Sequence, residues 1–228
     1  LQSIGSNCFN KCDNLRTVNF AGTVAQWNAI TLGGDNDGLT ARTVVHCSDG
    51  DVVYPYSGTF NDNTVSWEIS DSGVLTITGT GAIPGSAFEN NNDIQSVVIG
   101  EGITEIGNYA FLRCMSVTSV SLPNSLTSIG SGVFLACWEL EEIVIPDGVT
   151  SLGEGAFSNC TALSNVEIPA NVISIGDELF TNCTALKEIT FNGTMASWQT
   201  LIDGTSNDKL SECVIHCTDG DIGDSIAP

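Results

Sequence analysis

The chain has 228 residues, of which 42% are hydrophobic, so it can bury the core of one or two domains. Its 27 acidic and 6 basic residues give a net charge of −21. This charge disfavours nucleic acids and anionic membrane surfaces as partners, since both need Lys and Arg that face phosphate. No apolar run approaches the length that crosses a bilayer, so membrane insertion is not expected.

Residues 1–51 repeat the pattern found at the end of the chain. Apolar and cysteine positions from Ile4 onward recur 171 residues later, from Ile175 onward. The first five residues also match the middle of a later repeat, residues 126–130. We therefore expect the chain to begin inside a repeat. Residues 1–51 are predicted to form the terminal repeat and C-terminal cap of an upstream module, because the open end of a repeat stack must be covered.

Residues 52–62 are predicted to be a linker, and residues 63–82 a β-hairpin that caps the N-terminal end of a second module. Two segments in which apolar and polar residues alternate flank an Asp-Ser-Gly turn at 71–73, which is the pattern of a hairpin. The inward-facing residues of these segments are Val65, Trp67, Ile69, Leu75 and Ile77.

Residues 83–190 repeat with a period of 23 residues. Each copy has an Ile or Leu followed by Gly, then a Phe, a Cys and a short apolar segment, and most copies close with a proline. The clearest columns are Phe111, Phe134, Phe157 and Phe180, and Cys114, Cys137, Cys160 and Cys183. A fixed period of this length predicts a solenoid of stacked coils.

The coils are predicted to form a right-handed α/β solenoid, with short parallel strands on one face and short helices on the other. Residues 142–145 and their equivalents have the inward residues of a strand two apart, and the following proline ends the strand. The Gly after Ile or Leu, such as Gly153, is expected to permit a tight turn. Residues 153–160 have the spacing of a short helix. Residues 191–222 repeat the strand, helix and strand of the first cap as a C-terminal cap, and 223–228 form a tail.

The repeat resembles the BspA-like class of leucine-rich repeats. Leu140, Ile143 and Ile145 form the L-x-x-L-x-L core of a leucine-rich repeat, and residues 151–163 give a near-complete I-G-x-x-A-F-x-x-C-x-x-L phrase. The usual Asn or Cys after the core is absent, and a proline follows the strand instead. The resemblance implies a secreted or surface-attached bacterial protein, and several members of the class are adhesins. It implies no catalytic residue, cofactor or metal.

The predicted binding surface is the strand face, defined as the outward residues of the strands in residues 96–190. These residues alternate with buried ones and lie in two rows across stacked strands, which is where solenoids bind partners. The two rows begin at Ser96 and Val98. The candidate binding residues are Ser119, Ser121, Glu142, Val144, Asn165, Glu167, Glu188 and Thr190.

Other chemistry-bearing residues have structural interpretations that we favour. The Cys column is expected to be buried thiols, with disulfides or a metal as the alternative. A Cys–His nucleophile at His216 and Cys217 is disfavoured because adjacent strand residues face opposite sides. Cys213 with His216 and Cys217 could hold zinc, and residues 35–38 could form a calcium loop, but a packing role and a polar loop are preferred.

The sequence therefore predicts a non-enzymatic binding module, extracellular or on the cell surface, whose partner is an extracellular protein or glycan. A structural spacer within a larger surface protein is the alternative. No catalytic set rises above chance in the sequence, which disfavours an enzyme. The single coil within residues 1–51 leaves one edge uncovered, so head-to-tail self-association through this repeat is also expected.

Overall fold

The computed structural model describes residues 1–10, 12, 15–33, 43–53 and 56–223. The chain divides into two compact units, residues 1–58 (unit 1) and 59–228 (unit 2). The predicted calcium loop at 35–38 lies outside the described residues, as do residues 224–228 of the predicted tail.

Unit 1 contains one coil followed by a short helix and a terminal hairpin. Strands β1 and β3 pair in parallel, β2 pairs in parallel with β4, and β4 pairs antiparallel with β5. The elements are β1 (Ser3–Ile4), β2 (Thr17–Asn19), α1 (Val24–Asn28), β3 (Thr31–Leu32), β4 (Val44–Cys47) and β5 (Gly50–Val53).

The core of unit 1 is small. Trp27, Ile30 and Val45 are buried, and the Phe20 ring packs edge-on against Trp27 with centroids 5.2 Å apart. The remaining apolar residues of the coil pack against this cluster but are only partly buried. They are Ile4, Phe9, Leu15, Val18, Phe20, Leu32, Cys47 and Val52.

Unit 2 is a β-solenoid with few helices. Strand β6 (Tyr56–Phe60) crosses the boundary between the units, so the region predicted to be a linker holds strand residues near both of its ends. The strands that follow are β7 (Val65–Ile69), β8 (Val74–Gly79), β9 (Gly81–Ile83), β10 (Ser96–Ile99), β11 (Ile103–Ile106), β12 (Ser119–Ser121), β13 (Ser128–Ile129), β14 (Glu142–Val144), β15 (Ser151–Leu152), β16 (Asn165–Ile168), β17 (Ser174–Ile175) and β18 (Glu188–Phe191). The chain then forms α2 (Met195–Ile202), a 3-10 helix (Asp208–Glu212), β19 (Val214–Cys217) and β20 (Gly220–Ile222).

Among the described residues, the strands from β6 to β20 form three five-stranded sheets. Two of them carry the predicted strand face, with strand orders β12-β10-β8-β7-β6 and β14-β16-β18-β19-β20. The third, β17-β15-β13-β11-β9, is a second parallel sheet that the sequence does not predict. Pairing between coils follows the 23-residue period, for example Glu142 with Asn165 and Ser128 with Ser151. At the two ends, β7 pairs antiparallel with β8, and β20 pairs antiparallel with β19.

Turns occupy the segment in which short helices were expected, so that expectation is wrong. Between residues 107 and 114, alternate amides donate in two directions. Ala110 N bonds to Gly107 O within the coil at 3.2 Å, whereas Phe111 N bonds to Val133 O of the next coil at 2.9 Å. Left-handed residues such as Tyr109 (φ 60°) interrupt any helical run. A helix would keep these bonds within one coil and would lose the ladder between coils.

The Phe and Cys columns form the interior of the solenoid. Phe88, Phe111, Phe134, Phe157 and Phe180 stack in one file, with neighbouring centroids 5.2–5.7 Å apart. Each Cys of the column is fully buried and its thiol donates to the carbonyl of the Phe one coil earlier. For example, Cys160 Sγ lies 3.1 Å from Phe134 O. The predicted buried thiols are therefore present, and they satisfy backbone acceptors.

Glycines such as Gly153 follow the apolar residue of the strands in the sheet β17-β15-β13-β11-β9. Their role is not the tight turn that the sequence predicts. A Cβ on Gly153 would lie 2.3 Å from Ser131 N of the neighbouring coil, and a Cβ on Gly176 would lie 2.3 Å from Glu154 N. The coils approach each other so closely here that only glycine fits. The requirement is set by stacking between coils and not by a positive φ.

Candidate binding face

The strand face is formed by two sheets of unit 2, with its two rows of side chains in register. Glu142 pairs with Asn165 and Val144 pairs with Glu167 across β14 and β16. Farther along, Glu188 pairs with Val214 across β18 and β19. Most members of the rows are exposed, while Ser96 and Glu167 are half-buried. The structure therefore places the predicted residues on one surface, with pairs of equivalent side chains on neighbouring strands.

The three carboxylates of the face have different surroundings. Glu167 is held in place because its Oε1 accepts a hydrogen bond from Asn192 Nδ2 at 2.8 Å. Glu188 Oε2 lies 3.6 Å from His216 Nε2. Glu142 is exposed beside Val144, whose side chain is 52% exposed. The face thus has a polar end near β19 and a mixed apolar and acidic region at β14.

His216 belongs to the same face and was not predicted to. It pairs with Thr190 in register, and its Nδ1 lies 3.0 Å from Asp221 Oδ1 on the antiparallel strand β20. The hydrogen bond with Asp221, together with the charges of Asp221 and Glu188, raises the pKa of His216 above its ordinary value. Two carboxylates therefore favour the charged imidazolium at this end of the face.

A second His–Asp pair occurs in unit 1, where His46 Nδ1 lies 2.9 Å from Asp51 Oδ1. Both pairs arise because a two-residue turn places residues five apart opposite each other in an antiparallel hairpin. The recurrence of His and Asp at this spacing in both copies was the sequence pattern that could have identified them. His216 was interpreted only together with its neighbour Cys217, so its pairing with Asp221 was not predicted.

Large apolar side chains are exposed at the face and beside it. Trp138, four residues before β14, is 51% exposed, and Val98 is 41% exposed. Trp138 follows the column Cys, a position that other coils fill with Met115, Thr161 and Thr184. The exposure of Trp138 was also not predicted, because Trp138 lies outside the two outward rows of the strand face.

The remaining candidate sites have ordinary surroundings. All nine thiols are free, and Cys213 Sγ is directed at Lys209 O at 3.4 Å. Across the ranges that the structure describes, no three His, Cys, Asp or Glu side chains group closely enough to hold a metal ion. A cleft of about 440 Å³ lies near the 3-10 helix. Charged residues line it, and two of them, Lys209 and Glu212, form an ion pair at 2.9 Å.

The repeat pattern matches a known family. The model of the BspA type leucine-rich repeat region matches the chain in six copies, over residues 1–32 and 81–202. The chain belongs to the BspA-type leucine-rich repeat family.

Solved structures of bacterial leucine-rich repeat proteins share the fold. A leucine-rich cell surface protein from Faecalibacterium prausnitzii is 23% identical with a TM-score of 0.55, over 88% of this chain and 54% of that one. A leucine-rich repeat protein from Bacteroides ovatus is 21% identical with a TM-score of 0.52, over 95% and 46%. The pneumococcal vaccine antigen PcpA is 21% identical with a TM-score of 0.52, over 95% and 59%.

The chain spans about half the length of these three proteins. A search of curated proteins gave no match. Within the described part of this BspA-type chain, no helix has the length and apolar character needed to cross a membrane.

Proposed function

We propose that the chain is a non-enzymatic binding module, secreted or at the cell surface, that recognises an extracellular protein or glycan through the strand face. The observation that carries this proposal is the pair of in-register rows, in which exposed acidic, hydroxyl and apolar side chains lie on neighbouring strands of a rigid solenoid. Such surfaces bind partners without chemistry. The surface location in the proposal is supported by the F. prausnitzii protein that shares the fold, which is described as a cell surface protein.

The modular organisation belongs to the same proposal. Unit 1 corresponds to the end of one repeat module, with residues 1–51 as its terminal repeat and cap. Unit 2 corresponds to a second module with the hairpin at 63–82, repeats at 83–190 and a cap at 191–222. The supporting observation is that both units contain a helix followed later by an antiparallel hairpin, which is β4–β5 in unit 1 and β19–β20 in unit 2.

The experiment is binding of the chain to a panel of host matrix proteins and glycans, with a triple variant of the strand face beside it. Changing Glu142, Glu167 and Glu188 to Ala is expected to abolish saturable binding. The control changes Glu89, Glu105 and Glu154 to Ala. These carboxylates are exposed and lie off the strand face, and their substitution removes the same charge. Circular dichroism checks that both variants are folded.

Three outcomes are informative. Loss of binding in the strand-face variant alone supports the proposal. Equal loss in both variants would reduce the effect to net charge and would contradict it. Absence of saturable binding to every member of the panel would also contradict it, and would favour the alternative of a structural spacer that holds another domain away from the cell.

Self-association through unit 1 is the second part of the proposal. Phe9 and Leu15 are half-buried, whereas their counterparts Phe180 and Leu186 are buried by the preceding coil. Among the described strands, β2 pairs on one side only, with β4. The proposed occupant of this open edge is a second copy of the chain. Sedimentation velocity is expected to show a concentration-dependent dimer that Phe9→Glu abolishes, and a monomer at every concentration would contradict it.

A further inference from the structure

One coil carries an exposed aromatic ring at the position after the column Cys, next to the strand face. The backbone of Trp138 is fixed, because its carbonyl accepts hydrogen bonds from Ala162 N at 3.0 Å and from Thr161 Oγ1 at 3.2 Å. The residue is nevertheless 51% exposed. The core does not need this ring, since the neighbouring coils carry Met and Thr at the same position. A large ring displayed from a rigid backbone is typical of a binding hot spot.

Three carboxylates follow this position closely in the sequence. Glu139, Glu141 and Glu142 follow Trp138 directly and are all exposed. No Lys or Arg occurs in residues 138–147 or in the equivalent segments of the adjacent coils, 115–124 and 161–170. Their negative charge is therefore not compensated within these three segments.

We propose that Trp138, Glu139, Glu141, Glu142 and Val144 form a docking site for a cationic peptide segment of a partner protein. An Arg or Lys of the partner lies over the indole face, and its charge is shared with the flanking carboxylates. This inference rests on the proposed function, because it names the partner chemistry for the strand face. A cation over an indole is the strongest of the cation–π pairs, and Arg is preferred since it also stacks.

The charge of the whole chain favours the same partner. A net charge of −21 attracts a basic segment over a long range and raises its association rate. A neutral glycan could stack on the indole and accept or donate a few hydrogen bonds. It would leave three neighbouring carboxylates uncompensated, whereas a cationic segment neutralises them. The charges around Trp138 therefore favour a peptide over a glycan.

The test measures binding of the full chain to a fluorescent Arg-Gly repeat peptide by anisotropy, with a Gln-Gly peptide of equal length as the uncharged control probe. Trp138→Ala is expected to weaken binding about fivefold to thirtyfold, which is the range from an exposed to a desolvated cation–π contact. The triple change of Glu139, Glu141 and Glu142 to Gln is expected to weaken it at least tenfold. Added salt should weaken binding by the unmodified chain.

The matched control changes Glu89, Glu105 and Glu154 to Gln, which removes the same charge elsewhere on unit 2. A loss as large as that of the first triple variant would show nonspecific charge attraction and would overturn the proposal. Unchanged affinity in Trp138→Ala would also overturn it. Failure to bind the Arg-Gly peptide, with Trp138-dependent binding to a neutral oligosaccharide, would replace the peptide with a glycan.

Failure of the docking site can be distinguished from failure of the proposed function. If the variant of Glu142, Glu167 and Glu188 loses a panel partner while Trp138→Ala retains it, the proposed function stands and this docking site fails. If the Arg-Gly peptide binds through Trp138 while no panel partner binds, the docking site stands, and the adhesin-like role fails for the partners tested.

Discussion

At the scale of single residues, the buried cysteines act both as small apolar side chains and as hydrogen-bond donors. The carbonyl of Phe111 accepts Cys114 N at 3.1 Å and also the thiol of Cys137 at 3.3 Å. Each Phe carbonyl can accept two such bonds because it has two lone pairs. The thiol therefore supplies a donor between coils that an Ala of similar size would lack.

These thiols are expected to be unreactive in the folded chain. Burial raises the pKa of Cys114 and of Cys183 to about 12, and it raises the pKa of Cys137 and Cys160 as well. Because the thiolate is the nucleophile, iodoacetamide at about pH 8 should modify exposed Cys8 while the four buried thiols remain protected. Mass spectrometry of native and urea-unfolded samples measures this, and modification of Cys137 as fast as Cys8 in the native chain would contradict it.

The titration of His216 gives a second prediction for single residues. Its pKa is raised in the folded chain, mainly by the hydrogen bond with Asp221. The interaction therefore stabilises the fold fully below the unfolded pKa of about 6.5, and is lost as the pH rises through the folded value. An NMR titration should give a midpoint above about 6.5. Asp221→Asn should lower that midpoint and Asp51→Asn should not, and an unchanged midpoint in Asp221→Asn would contradict the assignment.

At the scale of the element, the sequence predicts the coil but not the path of its turns. The period of 23 and the Phe and Cys columns predicted the stack because they record burial that is repeated in every coil. Left-handed positions are filled by Gly155 and Asn159 in one coil, which are typical of such turns, but by Tyr109 and Arg113 in another. Hydrogen bonds between coils fix these dihedrals, so the local sequence alone could not distinguish the turns from a short helix.

Substitution of two glycines in one coil separates close packing from backbone strain. Gly153→Ala places a Cβ 2.3 Å from Ser131 N, and a backbone atom cannot move aside, so we expect a loss of about 2–3 kcal/mol. Gly155→Ala meets only Ser158 Cβ at 3.7 Å but keeps a φ of +58°, so about 1 kcal/mol is expected.

Urea unfolding followed by circular dichroism measures both losses of stability. The control is Ile173→Ala, because Ile173 is 80% exposed and its truncation should change the free energy of unfolding by less than about 0.5 kcal/mol. If Gly153→Ala proved as stable as Gly155→Ala, the coils would not be in backbone contact at Ser131.

At the scale of the whole molecule, the outward residues of the strand face could be predicted from the sequence. The pairing of His216 with Asp221 and the exposure of Trp138 could not. Alternation with a period of two fixes which side of a strand faces outward, so residues such as Glu142 and Asn165 follow from the pattern. His216 and Asp221 meet only because the terminal hairpin folds back antiparallel. Trp138 precedes the strand, where no alternation rule applies. The proposed docking site therefore includes a residue, Trp138, that departs from the repeat.

The two units differ in how well they protect equivalent strands, β2 and β18, from hydrogen exchange. Strand β2 of unit 1 pairs with β4 alone among the described strands, while its counterpart β18 of unit 2 lies between β16 and β19. Val18 is half-buried, whereas Ile189 is 1% exposed. A strand with one neighbour and a partly exposed side chain opens more often. Amides of β2 in dilute samples should therefore exchange at least about tenfold faster than those of β18.

Hydrogen exchange on the full chain at several protein concentrations tests this together with self-association. If a second copy covers the open edge, protection of β2 should rise with concentration because the bound fraction increases. Protection of β18 should stay constant, since its pairing lies within one chain. The variant Phe9→Glu should remove the concentration dependence in β2 and leave β18 unaffected. Equal protection of the two strands in dilute samples would contradict the prediction, because it would show that the edge is covered without a second copy.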